Sequence, residues 1–317
     1  MENVAMATVV LQTGGRGFFG RRIAEKIREA GYELVTPDLP DFNLMDYASV
    51  EKAVKDIGPE IVVHPAAYYG GLGICMREPA NLFYKNVIMT ANLLEASSKI
   101  PIKRFVSVGS ACAYPGNVVG DMKEDDFWAG ALHPSVEAYG FTKKVQQVGG
   151  RAYQRQYGTI GQYPQITNLY GENDVFTEYR SHVVAALIKR YADAVASGAD
   201  QVMNWGTGSA VREFMYTHDG AEAIVKLMET DFDDTINIGT GIGTTIKELA
   251  TLIAELTGFE GEVAWDTDKP DGVPRKVLDV SRMREVLNWE PPTSLREGLK
   301  KTIDWYLANK EEADARQ

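Results

Sequence analysis

The chain has 317 residues, 44% of them hydrophobic, and a formal net charge of -11. That length suits one large α/β unit with or without a smaller lobe, and the apolar fraction is enough for a full core. Lysine and arginine are scattered, which excludes the basic stripe of a nucleic-acid or anionic-membrane binder. No apolar run approaches a membrane span, and Met1-Glu2-Asn3-Val4 does not read as a leader. Cys75 and Cys112 are the only cysteines, too few for a disulfide framework. The expectation is a cytoplasmic protein.

The first predicted element is a strand over 8–11, β-branched and apolar, running into Thr13-Gly14-Gly15. Gln12 at its end has no reason that the sequence supplies. A helix follows over 21–31, with Ile23, Ile27 and Ala30 on one face and Gly31 as its stop. Then come a strand over 33–36 ending at Pro37-Asp38, a helix over 50–58, a strand over 61–63, a helix over 81–99 and a strand over 104–108. Strands alternating with helices predict parallel βαβ units, and so an α/β fold with a doubly wound parallel sheet of the Rossmann type. After Gly171 the rhythm changes to helical stretches over 181–196 and 245–256, joined at Gly- and Pro-rich points. This predicts a smaller, mostly helical C-terminal lobe. The expected division is 1–165 plus about 211–237 for a dinucleotide-binding domain, and about 166–210 plus 238–317 for the lobe. Residues 311–317 read as frayed.

Gly14-Gly15-Arg16-Gly17-Phe18-Phe19-Gly20 joins the first strand to the first helix. Backbone without side chains can approach a pyrophosphate there, and a helix N-terminus favours its charge. Gly14, Arg16, Gly17, Phe18, Phe19 and Gly20 are therefore candidate cofactor contacts, with Ala66 and Ala67 after the third strand. Asp38 ends the second strand, where a carboxylate can accept from ribose hydroxyls and would repel a 2′-phosphate, which favours NAD. Arg16 pulls towards a 2′-phosphate, and so towards NADP. The alternative reading of Asp38 is a solvated turn between Pro37 and Pro40.

Tyr139 and Lys143 stand four apart, on one face of a helix. A neighbouring ammonium lowers a phenol's pKa, and such a tyrosine can move the proton that accompanies hydride transfer at a carbonyl. Lys143 could also hold the nicotinamide ribose. Ser110, beyond the strand over 104–108, could hydrogen-bond the same oxygen.

A glycine turn, a strand leading to serine and Tyr-x-x-x-Lys, in that order, resemble the extended short-chain dehydrogenase/reductase family. Gly109-Ser110-Ala111-Cys112-Ala113-Tyr114-Pro115, Asn168-Leu169-Tyr170-Gly171, Ser181-His182-Val183, Trp205-Gly206-Thr207-Gly208, Arg212-Glu213-Phe214 and the stretch from Lys269 to Lys276 narrow the resemblance. It is to the branch that acts on GDP-activated 4-keto sugars, and it runs from Gly14 to about Trp305. It implies conversion of GDP-4-keto-6-deoxy-D-mannose to GDP-L-fucose. Cys112 and His182 would exchange protons at C3 and C5, while Tyr139, Lys143 and Ser110 assist hydride delivery to C4. Asn168, Arg190, Trp205, Arg212 and Lys276 would hold the GDP-sugar. It further implies NADP(H) as the usual cofactor and a homodimer built through helices flanking Tyr139. No metal is implied, and Cys75, His64, His133 and His218 are read as structural.

The chain departs from that pattern in three places. No arginine follows the second strand, Ala67-Tyr68-Tyr69-Gly70-Gly71 carries two tyrosines, and no proline follows Gly171. Two rival readings remain: a redox-neutral epimerase that retains NAD on Asp38, and a noncatalytic dinucleotide sensor. The second would have no need of Ser110, Cys112, Tyr139, Lys143 and His182 together.

Overall fold

The computed structural model describes residues 7–177, 180–269 and 272–316. The chain runs β1 (Val9–Gln12), α1 (Phe18–Glu29), β2 (Glu33–Val35), α2 (Tyr47–Ile57), β3 (Ile61–His64), α3 (Leu72–Arg77), α4 (Pro79–Ser97), β4 (Arg104–Ser107), α5 (Glu137–Tyr157), β5 (Ile160–Ile166) and β6 (Asn168–Tyr170). It continues through α6 (Val183–Ser197), β7 (Gln201–Trp205), β8 (Val211–Tyr216), α7 (Thr217–Met228), β9 (Thr235–Ile238), β10 (Gly243–Thr245), α8 (Ile246–Thr257), β11 (Glu262–Asp266), β12 (Arg275–Lys276), α9 (Ser281–Leu287), α10 (Leu295–Ala308) and α11 (Lys310–Ala315).

Six strands form the main sheet in the order β2-β1-β3-β4-β5-β9. Every pairing in it is parallel, with Leu11 opposite Val62 and Val63 opposite Val106. Helices cover both faces, so β3 is buried along its whole length and reads as an uninterrupted apolar run up to His64. The reversal of strand order falls between β1 and β3, and the first glycine turn opens there. The fold is the doubly wound sheet that the sequence predicts.

The C-terminal region is helical in bulk but also carries two small sheets. β8 pairs with β6, β10 and β12, and β7 pairs with β11. Its own core gathers Tyr170, Ile188, Tyr191, Ile253, Ile303 and Tyr306. Between these pieces the chain returns to the main layer through α7, which packs on α1, and through β9.

Helices α1, α2 and α4 start two or three residues earlier than apolar periodicity indicates, whereas α6 and α8 start one or two residues later; in α2 and α4 the opening turn is set by local chemistry. Asp46 accepts from the Ala48 amide to begin α2, and Pro79 opens α4. The expectation of a frayed end over 311–317 is corrected. Lys-Glu-Glu-Ala-Asp-Ala looks solvated, yet it forms α11 with Ala313 fully buried. Lys310 reaches Asp193 of α6 and Asp314, each at 2.7 Å, and Lys189 reaches Asp314 at 2.8 Å. Gln317 and the first six residues lie outside the described residues.

Glu213 ties the two regions together. Its buried carboxylate accepts from the amides of Thr240, Gly241 (2.9 Å) and Leu278 (2.8 Å), joining β8 to the turn after β9 and to the segment after β12. Glu213→Ala leaves these three amides, that of Leu278 buried, without their acceptor. The expected loss is about 3 kcal/mol of stability, read as a lowered urea midpoint; an unchanged midpoint would remove Glu213 from this role.

Candidate active site

A cavity of about 830 Å³ opens at the carboxyl ends of β1, β3 and β4, beneath the C-terminal lobe. Its floor is the glycine turn. Gly14 has φ of 62°, and a Cβ on Gly20 would lie 2.0 Å from the Gly14 carbonyl oxygen, so neither position takes a side chain without a shift. The start of α1 is thereby bared as a cradle that suits a pyrophosphate. Gln12 now has a reason: buried at the end of β1, its amide donates to the Gly20 carbonyl at 2.6 Å and fixes the first turn of α1.

Gly14, Arg16, Gly17, Phe18, Phe19 and Gly20 all line the cavity, as do Ala66 and Ala67. Asp38 does not; it forms an ion pair with Arg16, both side chains being substantially exposed. The two residues that pull cofactor choice in opposite directions are thus each other's partners. An exposed pair of this kind is worth about 0–1 kcal/mol and gives way readily to a ligand.

Ser110, Cys112, Tyr139 and Lys143 converge on one wall. A Cβ on Gly140 would stand 2.3 Å from the Cys112 carbonyl oxygen, so α5 lies directly on the backbone of the turn after β4. The Ser110 hydroxyl accepts from the Cys112 amide at 3.1 Å, which leaves its O–H to donate. Lys143 is buried, donates to the Val108 carbonyl at 2.9 Å, and stands 5.5 Å from the centre of the Tyr139 ring.

Burial pulls Lys143 down from 10.5 to about 7. It also pushes the Tyr139 phenol well above 10, with the Cys112 and Cys75 thiols adding to the rise. The expectation of a lowered phenol pKa is therefore corrected: desolvation is the largest cause acting on Tyr139, and it holds the phenol protonated at neutral pH.

The opposite wall comes from the second lobe. His182 caps α6 and lies with Nδ1 3.6 Å from Asp174, close enough for charge attraction though longer than a formed hydrogen bond. Burial pulls the imidazole down, but the carboxylate more than offsets this and its pKa lies above 6.5. Between the walls, the Tyr69 ring stacks on Tyr139 at 4.3 Å and on His182 at 5.3 Å. The Lys276 ammonium is 3.9 Å from the Cys112 sulfur.

Asn168 and Lys276 also line the cavity. Arg190, Trp205 and Arg212 do not: Arg190 donates to Asn204 at 3.2 Å, Trp205 is 70% exposed, and Arg212 donates to the Val211 carbonyl at 2.8 Å. Within the motif from Lys269 to Lys276, Pro270 and Asp271 lie outside the described residues. His64 is buried between Thr13 (2.8 Å) and Thr90 (3.3 Å), and burial, then Lys143, lowers it to about 3, so it is neutral. Among the described residues no group of acidic, cysteine and histidine side chains could hold a metal. Asp174, Tyr69 and Arg180 belong to the site and were not singled out as site residues from sequence. Only the unusual tyrosine pair in its loop offered a signal.

The sequence matches the model of the NAD dependent epimerase/dehydratase family over residues 10–239. The chain belongs to this family. It is accordingly an NAD(P)-dependent enzyme of the extended short-chain dehydrogenase/reductase type. This family member is 37% identical to GDP-L-fucose synthase 1 of Arabidopsis thaliana, over 95% of this chain and 93% of that protein. It is 34% identical to GDP-L-fucose synthase of Escherichia coli K12, over 95% and 97%. The crystal structure of a GDP-L-fucose synthetase from Naegleria fowleri bound to NADP superposes with a TM-score of 0.89 at 25% identity, covering 97% of this chain and 95% of that one.

Because Asp174 raises His182, the pair stabilises the fold fully below the unfolded pKa and loses that contribution as pH rises through the folded one. In an NMR titration His182 is expected to titrate above 6.5, and below its wild-type value in Asp174→Asn. The same midpoint in both proteins would dismiss the pairing.

Proposed function

We propose that the chain is a GDP-sugar 3,5-epimerase and 4-reductase that converts GDP-4-keto-6-deoxy-D-mannose to GDP-L-fucose. The observation that carries this reading is the single cavity lined by Cys112 and His182 together with Ser110, Tyr139 and Lys143. A reductase alone has use for the last three; the thiol and imidazole add a second acid–base set for carbon-bound protons.

A bound NAD(P)H supplies the hydride. The glycine cradle, Phe18, Phe19, Ala66, Ala67 and Lys143 would hold and orient it. The 4-keto group makes the C3 and C5 protons acidic, so Cys112 and His182 can remove them from one face and return them to the other. Lys276 is placed to balance a thiolate on Cys112. Tyr139, kept protonated by burial, donates its proton to the C4 oxygen as the hydride arrives, and the Ser110 hydroxyl donates a hydrogen bond to that oxygen.

Asn168 and Lys276 hold the sugar end. Arg190, Trp205 and Arg212, outside the cavity, receive the nucleotide end. On this reading residues 1–165, with the return of the chain through α7 and β9, form the cofactor domain. The remainder forms the GDP-sugar lobe, to which we also assign β8, expected from sequence in the cofactor domain, because it pairs with β6, β10 and β12. We place the enzyme in the cytoplasm, where two free thiols persist. Exposed Phe83 and Tyr84 on α4 and Phe141 and Val148 on α5 support a homodimer through these helices; a monomer mass in sedimentation at micromolar concentration would dismiss that.

Asp38 favours a second reading, a redox-neutral epimerase that retains NAD. Incubation with GDP-4-keto-6-deoxy-D-mannose and either NADH or NADPH separates the two. The expected result is one cofactor oxidised per GDP-L-fucose formed; epimerised product without cofactor oxidation would favour the alternative. Tyr139→Phe is expected to lower kcat by about 10²–10⁴ with cofactor affinity retained. Unchanged turnover would overturn the role given to Tyr139. Asp38→Asn is expected to shift preference towards NADPH by about tenfold, equivalent to about 1.4 kcal/mol of removed repulsion. No shift would remove Asp38 from cofactor choice.

A further inference from the structure

Tyr69 belongs to neither acid–base set, yet it touches both. Its ring is stacked on Tyr139 with planes 30° apart and on His182 with planes 26° apart. These two partners come from different lobes, Tyr139 from α5 and His182 from the cap of α6.

The loop that carries Tyr69 is fixed at its backbone. Arg180 donates to the Tyr69 carbonyl at 3.2 Å, and the Gly71 amide donates back to the Arg180 carbonyl at 3.0 Å. A Cβ on Gly71 would lie 2.3 Å from the Ser181 carbonyl oxygen, so loop and α6 entry meet main chain to main chain. On the other side, Tyr68 and Asn86 exchange two hydrogen bonds of 2.8 and 2.9 Å. Burial, then the Cys112 and Tyr139 groups, hold the Tyr69 phenol well above 10. It stays neutral and is no base.

We propose that Tyr69 is a positioning residue, whose flat ring sets the spacing and tilt of the Tyr139 phenol against the His182 imidazole so that both address one bound sugar. The inference rests on the epimerase/reductase reading. Proton exchange at C3 and C5 and protonation at C4 act on the same ring in succession, and a displacement of about 1 Å in a reacting group costs about a hundredfold in rate. Stacking on one rigid ring couples the two groups across the lobe junction, a role for the aromatic face and not for the hydroxyl.

The test compares Tyr69→Phe and Tyr69→Leu in the full chain. Measured are cofactor oxidation, solvent deuterium entry at C3 and C5, cofactor affinity by fluorescence, and the ring-proton shifts of His182 by NMR. Tyr69→Phe is expected within about threefold of wild type in every rate. Tyr69→Leu is expected to lose about tenfold or more in kcat, to change the ratio of deuterium entry to reduction, to keep its cofactor affinity, and to move the His182 ring signals through loss of the stacked ring. A Leu variant with wild-type kcat and ratio, or a Phe variant as impaired as the Leu variant, overturns the proposal. Should Tyr69→Leu fail to bind cofactor, Tyr69→Met, which fills the space without a ring, is read by the same criteria. If the wild-type protein binds cofactor but leaves the sugar unchanged, the functional reading fails. The contact itself is still judged by the His182 signals, and unmoved signals in the ringless variant overturn it.

Discussion

The site depends on a close approach of backbone to backbone. Helix α5 can lie on the turn after β4 only because Gly140 has no side chain to meet the Cys112 carbonyl. That contact brings Tyr139 and Lys143 against Ser110 and Cys112, four side chains from two elements far apart in sequence. It also sinks Lys143 deep enough to bond the Val108 carbonyl. The shifted pKa values of Lys143 and Tyr139 follow from the same burial. Geometry and protonation state therefore share one cause.

The second condition is electrostatic. A chain with a net charge of -11 must receive anionic ligands. Arg21, Lys143, Arg180, Lys276 and Arg316 all line the cavity, so positive groups are gathered where the ligand enters while acidic residues are spread elsewhere. Asp174 stands among them and is committed to His182.

Much of this was legible in the sequence, for definite reasons. Parallel strands buried on both faces read as continuous apolar runs, and the glycine turn needs residues without side chains, so β1, β3, β4 and the cradle announce themselves. Tyr139 and Lys143 are legible because helical spacing alone aligns them. The small sheets, one around β8 and one of β7 with β11, were not: each strand finds its partners across long stretches of chain, so local pattern carries little of the signal. Nor was the carboxylate beside His182. Asp174 comes from a loop, and nothing in Glu172-Asn173-Asp174 says which side chain turns inward. The Arg16–Asp38 pair was visible as two residues and invisible as a pair, because exposed charges find each other in space. Glu213 stood out through resemblance, but its work in joining three backbone amides appears only in the fold.

The last helix carries a consequence for the cavity. Arg316, just past α11, donates to the carbonyl and side chain of Asn173, whose side-chain oxygen also accepts from Arg21 of the first helix. Helix α1 and the segment after α11 are thus joined through Asn173, and all three residues line the cavity. Replacing Arg316 by alanine would strip a cation from the cavity lining and undo its bridge to Asn173.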